Sequence, residues 1–241
     1  MAKRFDQYCP IAHALSLVGE RWALLIVREL LRGPKRYTDL TTGLPGIGTN
    51  VLATRLRELE DAGVVGKRKL PPPAASTVYE LTEYGTGLEE VLYSVARWGA
   101  RSLGLPSHDE DLPPEWGVNA FRALFYPERA RGLTATWVNR VEQDAFTVRL
   151  HEGRLQTDLG AAADADASLL TDMATFYELA SGDVPLAVPL GDGRARVEGD
   201  VALAARFFEV FNFAPRIGAH ADDRDRLGAR MEPVPGAALS A

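Results

Sequence analysis

Apolar positions in the first hundred residues recur mostly at helical spacing, in blocks separated by Gly and Pro. Residues 10–18 (PIAHALSLV) predict a short amphipathic helix, with Pro tolerated in its first turn. Gly19 separates it from 20–32 (ERWALLIVRELLR), where Trp22, Leu25, Ile26, Leu30 and Leu31 give a thick apolar face. Gly33-Pro34 is the stop signal. The stretch 37–63 (YTDLTTGLPGIGTNVLATRLRELEDAG) reads as a short helix, a tight Pro/Gly turn and a longer helix, with Thr49 expected as its cap. Leu52, Leu56 and Leu59 form the buried stripe of that longer helix, and Asn50, Ala53, Thr54, Arg57 and Asp61 lie mostly off it. Amide, hydroxyl and guanidinium groups on such a face can read base edges in a major groove. The same helical hairpin also serves pure packing.

The pattern then changes to period two. VVGKRKL and TVYELT flank PPPAAS, which predicts a hairpin with Pro71, Pro72 and Pro73 at its tip, since proline cannot donate to a ladder. Lys67, Arg68 and Lys69 are the most basic cluster of the chain, and Arg36 adds a cation before the opening helix. A basic hairpin straight after a candidate recognition helix is a winged-helix arrangement, in which the wing grips phosphates and adds affinity with little sequence information. Thr82 is expected to cap a helix over 83–103 with the stripe Leu88, Leu92, Val95, Trp98 and Leu103, weakened at Gly85 and Gly87. This stripe fits either a second copy of the chain or the second domain.

Residues 106–116 are acidic and Pro-bounded, a linker. Beyond them, 116–130 predicts an aromatic-rich helix interrupted before Pro127, and 133–141, 145–151 and 154–159 predict strands, with a turn at Glu152-Gly153. Residues 165–181 predict a helix, 186–189 a short apolar strand, 195–198 a strand and 201–213 a last helix. The order predicts an α+β domain over 117–215, with a largely antiparallel sheet and helices on one side. The tail, 216–241, is charged and then Pro/Gly/Ala-rich, and is expected to be poorly ordered at its end.

Composition narrows the function classes. The chain has 241 residues, 46% hydrophobic and 25% charged, which excludes disorder throughout. Its net charge of −6 argues against nucleic acid, but the distribution reverses that for one half. Residues 1–105 hold 14 Lys and Arg against 11 Asp and Glu, and all four lysines lie in the first 70 residues. The remainder is acidic, which discourages non-specific binding along DNA. The longest apolar run, 22–27, is too short for a membrane span, and residues 1–10 have no signal-peptide core. With a single cysteine, Cys9, an intrachain disulfide is impossible and a Cys-rich zinc site is excluded. No HExxH, GxSxG or P-loop occurs, GLPGIG at 43–48 follows a helix instead of a strand, and His13, His108, His151 and His220 are scattered. No catalytic residue, metal or cofactor is therefore expected.

Cys9-Pro10, Gly19-Glu20-Arg21-Trp22, Gly33, Tyr37-Thr38-Asp39-Leu40, Gly46-Ile47, Arg55-Leu56-Arg57-Glu58-Leu59-Glu60, Gly63-Val64-Val65, Pro72-Pro73 and Tyr79-Glu80-Leu81-Thr82 occur in order. With them, residues 5–105 resemble the HxlR family of bacterial winged-helix regulators, relatives of the MarR family. Val78 departs from the acidic residue common there. The resemblance implies a cytoplasmic homodimer that binds a pseudo-palindromic DNA operator, represses or less often activates, and has no membrane partner. The DNA-binding candidates are Arg36, Thr49, Asn50, Thr54, Arg55, Arg57, Lys67, Arg68 and Lys69. Cys9 matches a position where some members carry a thiol that senses oxidants or electrophiles. The stretch ASLLTDMATFYELASGDVPLAVPLGDGRARVEGDVALAARFFEVF resembles the sterol carrier protein type 2 (SCP2-like) fold, which implies an apolar tunnel for an apolar small-molecule effector. Trp137, Phe146, Phe176, Tyr177, Phe207, Phe208 and Phe211 are the candidates to line it. The expected protein is a DNA-binding regulator with an N-terminal domain at 1–105, mainly α with a β-hairpin wing, and a C-terminal sensor. Thiol sensing through Cys9, or a lipid carrier whose winged helix serves protein contacts, are the alternatives.

Overall fold

The computed structural model describes residues 5–72, 75–103 and 114–211. Pro73, most of the linker, residue 213 of the last predicted helix and the 216–241 tail lie outside the described residues. The chain divides into two compact units between Leu92 and Tyr93.

The first unit runs α1 (Pro10–Val18), α2 (Ala23–Leu30), α3 (Tyr37–Gly43), α4 (Thr49–Asp61), β1 (Val65–Lys69), β2 (Thr77–Leu81) and α5 (Glu83–Thr86), and the start of α6 (Glu89–Leu103). Its core gathers one face from each element: Val18, Ile26, Val27, Leu30, Leu40, Leu44, the α4 stripe Leu52, Leu56 and Leu59, then Val64 and Val65. Burial of each such side chain contributes about 1.5–3 kcal/mol. β1 and β2 pair antiparallel, with Lys67 opposite Tyr79. Lys35 and Tyr79 exchange both backbone hydrogen bonds (2.9 and 2.8 Å), which ties the base of the hairpin to the segment before α3.

Three predicted boundaries move. α2 begins at Ala23, not at residue 20, because Trp22 at its N-cap sits at φ 80, outside helical geometry. Gly48, not Thr49, caps α4, and Thr49 is its first helical residue. Thr82 does cap as expected, its hydroxyl accepting from Gly85 N at 3.0 Å, but the helix after it breaks into α5 and α6. The cause is close packing under Gly85, where an added Cβ would lie 2.0 Å from Val64 O, together with the weak helix propensity of Gly85 and Gly87.

The second unit continues through α7 (Pro114–Leu124), a 3-10 turn (Pro127–Ala130), β3 (Ala135–Val141), β4 (Asp144–His151), β5 (Arg154–Leu159), β6 (Ala167–Thr171), α8 (Met173–Ser181), α9 (Ala187–Asp192), β7 (Ala195–Gly199) and α10 (Val201–Val210). The sheet order is β5-β4-β3-β6-β7, antiparallel except for the parallel β3–β6 pair. The Glu152-Gly153 turn holds both residues at positive φ (50 and 75), the two-residue hairpin geometry that matches strand twist. The predicted 165–181 helix is in fact two elements. Residues 167–171 form β6 between β3 and β7, and the Asp172 carboxylate accepts from Thr175 N at 2.7 Å to start α8 afresh. Residues 186–189 belong to a helical turn ending at Gly193, not to a strand. Among the described residues, no single helix is long and apolar enough to cross a membrane.

Candidate nucleic-acid interface and apolar site

At 100° per residue, Asn50, Thr54, Arg57 and Asp61 fall within an arc of about 60° opposite the leucine stripe of α4. All four are exposed, as is Thr49, which lies off that arc on the leucine side and is open because it begins the helix. The Thr54 hydroxyl donates to Asn50 O at 2.8 Å and keeps its acceptor lone pairs. Two contacts set the start of this helix. The Tyr37 hydroxyl donates to Thr49 O at 2.7 Å, linking α3 to α4, and the Trp22 ring lies beside Gly46 in the turn between them. Val51 is also exposed, an apolar side chain in the first turn of α4 suited to a thymine methyl. Its type gave no sequence signal, because valine in a helix reads as core.

The remaining candidates differ in freedom. Arg55 turns toward α1–α2, paired with Glu20 at 3.4 Å and with Glu58, so it does not share the Asn50–Arg57 face. Arg36 is exposed at the N-cap of α3, where its backbone N–H donates to the Asp39 carboxylate at 2.9 Å. On the wing, Lys67 donates to Glu60 at 2.7 Å and lies 5.3 Å from the Tyr79 ring centre; the Glu60 bond raises its pKa. Arg68 forms a forked pair with Glu80, its diagonal neighbour across the hairpin (2.9–3.1 Å), and this hydrogen bonding holds Glu80 below its ordinary pKa. Lys69 is exposed and makes no ion pair among the described residues. Exposed pairs of this kind are weak and screened by salt. A phosphate can compete for Lys67 and Arg68, while Lys69 is ready to meet one.

In the second unit six of the seven aromatic candidates come together in one core, and Tyr177 is buried outside that cluster. Phe207 stacks on Phe211 at 4.6 Å, and Trp137 meets both rings edge-on while its indole N–H donates to Leu203 O at 2.8 Å. The hub is Phe121 of α7, absent from the seven sequence candidates; it contacts Phe146, Phe176, Phe207 and Phe211 at 5.6–6.3 Å. Its aromatic-rich segment was visible, but which ring points inward depends on how α7 lies on the sheet. Phe208 is half-buried, touches Phe176 and Phe207, and lines a surface hollow of about 490 Å³ with Glu128, Arg129, Arg131, Arg206 and Glu209. Arg149 pairs with Asp158 and Asp164, and Arg196 is exposed beside Glu198. Among the described residues no cluster of His, Cys, Asp and Glu could hold a metal ion.

Comparison with known proteins finds two family matches, the first of which runs past the Leu92–Tyr93 division to the end of α6. Residues 17–105 match the HxlR-like helix-turn-helix profile, and residues 119–212 match that of the SCP-2 sterol transfer family. The HTH-type transcriptional regulator YodB of Bacillus subtilis (strain 168) is 41% identical over 91 residues, 37% of this chain and 81% of that protein. The uncharacterized HTH-type transcriptional regulator sll1512 of Synechocystis is 35% identical over 111 residues, 46% of this chain and 82% of that protein. The reduced form of YodB aligns in structure over 39% of this chain and 94% of its own, at 38% identity and a TM-score of 0.36.

Proposed function

The chain belongs to the HxlR-like helix-turn-helix family of transcriptional regulators, and from that premise we propose that it acts in the cytoplasm as a homodimer on a pseudo-palindromic operator, under control of an apolar small molecule taken up by residues 119–212. The observation that supports this most directly is the exposed polar arc of α4, Asn50, Thr54 and Arg57, set beside a cationic hairpin. In this reading these three residues and Thr49 meet base edges, and Lys67, Arg68, Lys69 and Arg36 meet phosphates. Arg55 serves the helix itself through Glu58 and Glu20.

Dimerisation is supported by exposed apolar side chains that a monomer leaves in water. α6 exposes Val91, Val95 and Trp98 at spacings of four and three, with Trp98 at 73%, and α1 exposes Ile11 and Leu15. Two recognition helices must span half-sites about 34 Å apart. A ligand that favours one spacing over another shifts operator affinity by its differential binding to the two states. The test is a mobility-shift titration with DNA flanking the protein's own gene, repeated across salt. Tight, steeply salt-dependent binding is expected, with a loss of about 1–3 kcal/mol on Arg57→Ala. Binding that ignores both salt and Arg57 would favour a lipid carrier whose winged helix serves protein contacts.

One observation favours a second input. Cys9 is a half-buried free thiol at the N-cap of α1, within reach of small oxidants. If it senses oxidants, diamide releases wild-type protein from DNA and leaves Cys9→Ser bound; equal behaviour of the two removes Cys9 from regulation.

A further inference from the structure

The central strand of the five-stranded sheet carries a polar residue that the fold itself does not use. Asn139 lies in the middle of β3, opposite Phe146 on β4 and Leu169 on β6. It is 2% exposed. Side chains alternate across a strand, so Asn139 shares a face with Trp137, whose ring packs on Phe207 and Phe211 of α10. The Asn139 carboxamide therefore points into the aromatic core, between two residues of that core. Among the described residues, no group lies within hydrogen-bond reach of its Nδ2.

Such a donor is costly to bury without a partner, and leucine, with the same branching of heavy atoms though a larger volume, would avoid that cost. The other buried polar side chains of the sheet are satisfied. Thr147 bridges Gly160 O and Ala162 N, at 2.7 and 3.0 Å, and Thr157 accepts from Arg122 at 3.0 Å. Thr147 lies on the opposite face of the sheet, and Thr157, on the same face as Asn139, has Arg122 of α7 as its partner; Asn139 differs from both in leaving its donor unpaired among the described residues.

The geometry points to Asn139 as the polar anchor of a ligand site in the second unit. Its carboxamide N–H donates to a single uncharged acceptor, a carbonyl or ether oxygen, on an otherwise apolar molecule, while Phe146, Leu169 and the rings of α8 and α10, which pack on one another in this structure, part to surround the apolar chain. The inference rests on the reading of residues 119–212 as a small-molecule domain and adds the class of ligand: neutral, apolar, with one acceptor. Cationic and multiply polar molecules are disfavoured, because Phe146, Leu169 and the rings of α8 and α10 offer no acceptor network and no counter-charge.

The test uses the full chain and displacement of the dye N-phenyl-1-naphthylamine by hexadecan-2-one and by hexadecane, which differ in one carbonyl. Wild type is expected to prefer the ketone by about tenfold, the worth of one buried hydrogen bond. Asn139→Leu is expected to lose that preference, to bind hexadecane at least as well, and to melt no lower than wild type. In wild-type protein, the Asn139 side-chain amide protons shift on adding the ketone and not the alkane, a readout that needs no variant. Equal affinity for ketone and alkane in wild type overturns the anchor and leaves the domain reading standing. A lower melting point with both affinities reduced in parallel marks Asn139 as structural and also overturns it. If neither the dye nor either chain binds, the small-molecule reading of the domain fails, and the anchor fails with it.

Discussion

In the proposed complex, charge at single residues decides how the wing meets DNA. Arg68 and Glu80 form a forked ion pair across the hairpin, so the guanidinium is already occupied when a phosphate arrives. Replacing Glu80 with Gln removes the competing carboxylate, and operator affinity is expected to rise at low salt with a steeper salt dependence; a mobility-shift series from 50 to 300 mM salt, on the order of the usual range, checks it. The pH dependence has a definite sign. The Glu80 carboxyl titrates below its unfolded value because Arg68 hydrogen-bonds the charged form. Its contribution to stability is present above the unfolded glutamate pKa and is lost as pH falls through the lower folded one. An NMR titration of the Glu80 carboxyl carbon is expected to place its midpoint below that of an unpaired glutamate, and Arg68→Ala to bring it back up.

At the scale of elements, the position of α4 rests on a few contacts from its neighbours. The Tyr37 hydroxyl donates to Thr49 O at the first turn of α4, where a small tilt would move Asn50 and Arg57, the proposed readers of base edges. Tyr37→Phe deletes that bond alone. The expected cost in stability is about 0.5–1.5 kcal/mol. Operator affinity should fall by more than this unfolding accounts for, measured by denaturant melts beside mobility shifts. For α6 the expectation concerns association: Trp98→Glu puts a charge in the exposed apolar stripe and should convert dimer to monomer in sedimentation, with little loss of helix by circular dichroism. The element pattern was largely legible. α1, α4, β1, β2 and β5 follow from apolar period and Gly/Pro punctuation. β6 was not, because five residues of ASLLT continue smoothly into the helical pattern of α8, and only pairing with β3 and β7 makes them extended.

For the whole molecule, the decisive feature is two separate hydrophobic cores, one around the α4 leucines and one around Trp137, Phe207 and Phe211. A calorimetric melt of the full chain is expected to fit two transitions, not one. Gly85→Ala, whose Cβ would meet Val64 O, should lower the first unit's transition only, by the about 1–3 kcal/mol typical of overpacking. The opposite signs of charge in the two halves fit the same division, since a basic half suits phosphate and an acidic half does not.

The amino-acid sequence by itself determined that there are two domains, that the first is a winged helix, and which face of α4 carries polar groups. Each of these follows from local periodicity, turn residues and charge, which act over a few positions of the chain. Tertiary structure alone decided the rest. It occupied Arg55, Lys67 and Arg68 with carboxylates that lie up to 35 residues away in sequence. It made six of the aromatic candidates a packed core with Phe121 at its hub, and it turned Asn139 inward without a partner. Ion pairing and ring packing depend on which elements meet, and that is fixed only when the helices close on the sheet.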